Sequence, residues 1–110
     1  MLYDLNPNFD LSQVVPQEKM NVTWRYSLLK AWGYDLLITG TQVFMVPDSI
    51  TLRDEIRPYY KFFNITDIAG YKKGFAANFY ILFRNGSKLH LALWRKDKLM
   101  SILDARRPRY

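Results

Sequence analysis

The chain has no cysteine in 110 residues. That excludes a disulfide framework and a thiolate metal site, and it suits a reducing compartment such as the cytoplasm. Histidine is nearly absent too: His90 is the only one. A histidine-based metal centre or a Ser-His or Cys-His catalytic pair therefore has little to draw on. No Gly-x-Ser-x-Gly elbow and no glycine-rich phosphate loop occurs, and Asp54 and Glu55 are sequence neighbours that a regular strand would point to opposite faces. Long apolar runs are missing, since nothing approaches the ~20 consecutive apolar residues of a membrane-spanning helix. The opening MLYDLNPNFD lacks the basic start and apolar run of a secretory signal. The Asn-x-Ser/Thr triplets at Asn21, Asn64 and Asn85 are accordingly read as accidental.

What remains is a globular composition, 49% hydrophobic and 16% aromatic, of a length that fits one domain. The formal charge of +6 is unevenly spread. Residues 1–55 carry four Lys/Arg against seven Asp/Glu, a net of −3, and residues 56–110 carry the remaining excess, a net of +9. A basic half attracts anionic lipid, nucleic acid or an acidic protein, although a merely solvated surface is the commoner cause of such a bias.

Residues 1–19 show no sustained period, yet Leu2, Leu5, Phe9 and Leu11 are too apolar to leave in water, so an arm packed on the domain is expected. From Met20 the apolar residues alternate, through Val22, Trp24, Tyr26 and Leu28, with the period of a half-buried strand. The pattern breaks at Gly33. DLLIT and QVFMV then flank Gly40-Thr41 as a second hairpin closed by Pro47. Residues 48–58 read equally as one helical turn or an edge strand. YYKFFNITDIAGYKK reads as two short strands broken near Asn64.

FAANFYILFRNGSKLHLALW is the strongest hairpin. A two-residue Asn85-Gly86 turn would set Phe79, Ile81 and Phe83 opposite Ala92, His90 and Lys88. A three-residue loop, Arg84-Asn85-Gly86 with the glycine left-handed, pairs Ile81 with Leu89 and Phe79 with Leu91, gathering the large apolar groups on one face. The three-residue loop is expected. Beyond Leu93 the period becomes helical, with Leu99, Ile102, Leu103 and Arg106 on one stripe over about 96–107, Asp97 near its start and Pro108 beyond its end.

About seven antiparallel strands closed by one C-terminal helix resemble the pleckstrin-homology-like superfold, and within it the GRAM and bacterial PH-like domains. LLITGTQVFMV is similar to the family's second hairpin, FFNITDIAGYKKG to its Ile-x-x-Ile strand with a basic tail, and FYILFRNGSKLHLALWRKDKLMSIL to its last hairpin and closing helix. The resemblance covers about residues 20–107. It implies a mainly β domain over residues 20–110, a PH-like barrel of two near-orthogonal sheets plugged by the helix, with residues 1–19 as the arm. It does not imply a ligand, because the superfold hosts lipid binders, peptide binders and assembly modules.

The resemblance and the missing catalytic motifs together point to a non-enzymatic binding or scaffolding module without a cofactor, metal or small-molecule substrate. Its expected partner is another protein or a second copy. The outward face of the last hairpin would carry Tyr80, Leu82 and His90 beside Ala92, more apolar than a solvated face should be. The alternative is peripheral binding to anionic lipid. Basic residues in the first hairpin loop often hold a head group in lipid-binding members of the superfold, and here LLKAWGY offers Lys30 and Trp32, to which Lys72 and Lys73 of GYKKG would have to be brought. The two-basic phosphoinositide pattern is missing from that loop. Nucleic acid is disfavoured: ARRPRY and WRKDK are basic, but most aromatics fall on expected core faces and no RNA-recognition signature is present.

Overall fold

The computed structural model describes residues 1–6, 8–25, 31–48 and 60–108. Tyr26 and Leu28 of the first alternating run, and all of the ambiguous 48–58 stretch except Asp48, lie outside the described residues. Eight strands and one helix are described: β1 (Tyr3–Asp4), β2 (Glu18–Trp24), β3 (Trp32–Ile38), β4 (Gln42–Pro47), β5 (Lys61–Asn64), β6 (Ile68–Lys73), β7 (Asn78–Phe83), β8 (Lys88–Ala92) and α1 (Lys96–Asp104). Every pairing is antiparallel, in the order β1-β5-β4-β3-β2-β8-β7-β6. The ladder is continuous, so the two expected sheets are two halves of one sheet. Among the described residues they join where Thr23 and Trp24 meet Ala92 and Leu91, a pairing that the Arg25 N–H extends to His90 O.

Period-two alternation sends Met20 and Val22 of β2, Tyr34, Leu36 and Ile38 of β3, and Phe79, Ile81 and Phe83 of β7 into one buried core. Leu99 and Leu103 of α1 enter the same core with no exposed surface, as the helical stripe requires. The last hairpin takes the three-residue loop. Ile81 pairs with Leu89 and Phe79 with Leu91, Phe83 N–H donates to Ser87 O at 2.9 Å, and Gly86 has φ +90°. The break near Asn64 is a 3-10 turn at Ile65–Asp67.

Gly33 does not break the first alternating pattern. It lies inside β3 opposite Thr23. A Cβ there would meet the Asp48 carboxylate at 2.5 Å, and Asp48 N–H donates to Gly33 O at 3.0 Å. Glycine makes room for that carboxylate, which also accepts from Asn21 Nδ2 at 2.7 Å. The helix ends at Asp104, before Arg106, and the chain continues in tighter turns.

β4 is buried on both faces. Val43 and Met45 face the core, while Phe44 and Val46 face outward. Phe9 covers Phe44, with ring centroids 5.5 Å apart, and Tyr3 stacks on Phe62 at 5.3 Å. The ring contacts of residues 1–18 thus fall on the β4–β5 half, away from the last hairpin.

Candidate functional site

The outer face of β6, β7 and β8 is built by alternation. With Phe79, Ile81 and Phe83 committed to the core, Tyr80 and Leu82 must turn outward, and the register sets Tyr80 opposite both Lys72 and His90. The Tyr80 ring stacks on the His90 imidazole at 4.4 Å between centroids and 20° between planes. Two lysines flank the stack: Lys72 Nζ is 5.9 Å and Lys88 Nζ 5.5 Å from the Tyr80 ring centre. Arg25 extends the basic rim, because its N–H continues the β2–β8 ladder to His90 O at 3.0 Å. Leu82 and Ala92 are half-buried beside them. The result is an aromatic and aliphatic centre ringed by cations, a composition suited to desolvated contact with an anionic surface.

His90 is fixed by its neighbours. Asn78 Nδ2 donates to Phe75 O at 2.9 Å, which turns its Oδ1 toward His90 Nε2 at 2.8 Å. With that assignment Nε2 carries the hydrogen and Nδ1 takes any further proton. Burial first, then the charges of Arg25 and Lys88, hold the imidazole below its ordinary pKa of 6.5. At neutral pH it is an uncharged stacking partner.

The sequence-derived anion set is described in part. Lys72 joins the Tyr80 face, whereas its neighbour Lys73 turns the other way and pairs with Asp97 at 3.0 Å. Trp32 stands opposite Trp24 at the core margin, four strand spacings from β6, or about 19 Å along the sheet. Lys30 lies outside the described residues. The basic tail is also engaged: Arg106 donates to Gln17 Oε1 and Ile102 O, and Arg107 to Ile68 O, beside the irregular pairing between Ile68 and Gly70.

Four residues were missed from sequence. Lys88 was legible, since the chosen register already put it on the outer face. Arg25 required the β2–β8 junction, a long-range pairing without a local signal. Phe75 and Trp94 are 90% and 79% exposed, against the habit of assigning aromatics to the core. Among the described residues no group of three or more metal-ligating side chains gathers.

No family model matches the chain, and no curated protein matches it. Solved structures do. The N-terminally truncated linker-DH/PH domains of p115-RhoGEF align at a TM-score of 0.66 and 15% identity, over 90% of this chain and 30% of that one. The fold is PH-like. The DH/PH domain of human ARHGEF11, solved with human RhoA and its inhibitor, aligns at 0.62 and 15% identity over 81% of this chain and 28% of that one. The C-terminal domain of an unknown protein from Leishmania infantum aligns at 0.65 and 12% identity, covering 84% of this chain and 83% of that one. This chain therefore spans under a third of the two RhoGEF chains.

Proposed function

We propose that this PH-like domain is a non-enzymatic binding module that engages an acidic surface of another protein, or of a second copy, through the outer face of β6–β8. The observation that carries the reading is the Tyr80–His90 stack with Leu82 beside it and Lys72, Lys88 and Arg25 around it. Tyrosine and arginine are enriched at interface hot spots, which sit inside a polar rim. The arm's ring contacts, Tyr3 on Phe62 and Phe9 on Phe44, lie on the β4–β5 half rather than on the patch. The DH/PH proteins of similar fold that were solved with RhoA give a precedent for protein partners, at the level of the fold alone. Kinship with the GRAM and bacterial PH-like group rests on the strand pattern described above. Light scattering of the wild type and Leu82→Glu tests self-association through this face. A mass that falls toward monomer in the variant, with the β-rich circular dichroism retained, supports the second-copy form. A concentration-independent monomer in both removes it.

A second reading, contact with an anionic membrane, is favoured by one observation. Phe75, 90% exposed, sits in the 74–77 turn directly after Lys72 and Lys73. Lys96 Nζ donates to Gly74 O at 3.0 Å and also to Ala76 O and Asn78 O, holding that turn in shape. A fixed aromatic beside lysines suits the head-group layer.

A further inference from the structure

A groove of about 640 Å³ runs beside β2, within the range of ligand sites. Five consecutive residues, Lys19–Thr23, line it together with Ala77 and the run from Ala92 to Arg95. Consecutive strand residues point to opposite faces, and here Met20 and Val22 are buried in the core while Asn21 is exposed. A cavity that touches all five therefore meets the strand along its backbone edge. That edge is open because β8 leaves it. The β2–β8 ladder covers only Thr23 and Trp24, and past Ala92 the chain bends away as Leu93 N–H donates to Ala77 O at 2.8 Å.

The direction of the open hydrogen-bonding groups follows from one contact. Arg25 N–H points to β8, where it reaches His90 O. The two-residue period then points the N–H and C=O groups of Lys19 and Asn21 to the same side, where no strand lies among the described residues. Unpaired strand edges of this kind are templates for another extended chain. The charged side chains lining the groove, Lys19 and Arg95, are both cationic, and Trp94 stands 79% exposed beside them.

We infer that the β2 edge is a second binding site, which takes an extended, acidic peptide segment of a partner protein as an added strand. Its backbone pairs with Lys19 and Asn21, its acidic side chains meet Lys19 and Arg95, and an apolar side chain packs on Trp94. With Thr23 paired to β8, the open edge Lys19–Val22 spans about 14 Å of strand, so about four peptide residues pair along it. This surface touches the Tyr80–His90 patch at Ala92 alone, and the residues assigned to peptide contact, Lys19, Asn21, Trp94 and Arg95, lie outside that patch, so either site can fail without the other.

The test is a nuclear magnetic resonance titration of the whole chain with a blocked heptapeptide of alternating valine and glutamate. A control peptide carries proline at its centre, which removes one backbone donor. The inference predicts saturable shifts at Lys19, Asn21 and residues 93–95, and amide hydrogen exchange at Lys19 and Asn21 slowed about tenfold or more. Binding weakens about tenfold in Trp94→Ala, in Lys19→Glu and with the proline peptide, the loss expected for an anchor contact. Trp94 is exposed enough for its variant to keep the fold, which the unperturbed core resonances verify. No saturable shift overturns the inference. So does equal binding of the two peptides, which would mean charge attraction alone, or a dimer of the free protein in which the two amides are already protected.

Discussion

Tyr80 and His90 face each other across β7 and β8 as a stacked pair, 4.4 Å between ring centres, with Lys72 and Lys88 within 6 Å of the tyrosine ring. The pair exists because one register puts three large apolar residues of β7 inward, and the same register leaves Tyr80 nowhere to go but out.

The imidazole reports on that environment. His90 should titrate with a midpoint below the ordinary 6.5, because burial and the cations Arg25 and Lys88 oppose a second proton. With the folded value depressed, the unfolded chain takes up the proton first as pH falls below 6.5. The resulting loss of stability accumulates as pH drops toward the folded midpoint and levels off below it. Lys88→Gln should move the midpoint back up. Histidine proton shifts followed against pH check this; a midpoint at or above 6.5 would refute the assigned surroundings.

The closing helix is tested from the core side. Leu99 and Leu103 have no exposed surface, so Leu99→Ala or Leu103→Ala should each cost about 2–5 kcal/mol in urea unfolding. A loss under about 1 kcal/mol at both would mean that the helix does not plug the sheet.

Gly33 and Asp48 should behave as a coupled pair. Gly33→Ala puts a methyl 2.5 Å from the Asp48 carboxylate, which must move and give up its hydrogen bond to Asn21. The expected cost is about 1–2 kcal/mol, and it should shrink in an Asp48→Ala background. Equal costs in both backgrounds would contradict the packing described.

Most of the scaffold could be read from the residues because it rests on local period. Met20–Trp24 and Phe79–Phe83 alternate cleanly, Leu99 and Leu103 repeat at helical spacing, and the Arg84-Asn85-Gly86 loop followed from the cost of burying Lys88 and His90. Gly33 misled because glycine usually punctuates, and only the distant Asp48 gives it a different use. The candidate site was half legible. Tyr80, Leu82, His90 and Lys88 followed from the register, but Arg25 and the separation of Lys72 from Lys73 did not. Arg25 arrives through the β2–β8 junction, and Lys72 and Lys73, read at a strand end, part because β6 runs through Lys73 and sends neighbouring side chains to opposite faces.

The membrane reading makes its own demand. Pelleting with anionic vesicles of phosphatidylserine and phosphatidylcholine at low salt should weaken as salt rises, and Phe75→Ala should reduce it further. Equal pelleting with neutral vesicles, or none with either, would set that reading aside.

The most direct test of the central claim compares the wild type, Leu82→Glu and Lys98→Glu as baits, with quantitative mass spectrometry of what each retains from the native source and of their own self-association. Lys98 lies on the exposed side of α1, so its variant controls for a charge change away from the β6–β8 face. The account predicts a partner, or a second copy, held by the wild type and by Lys98→Glu and lost from a folded Leu82→Glu. A partner retained equally by all three would contradict it.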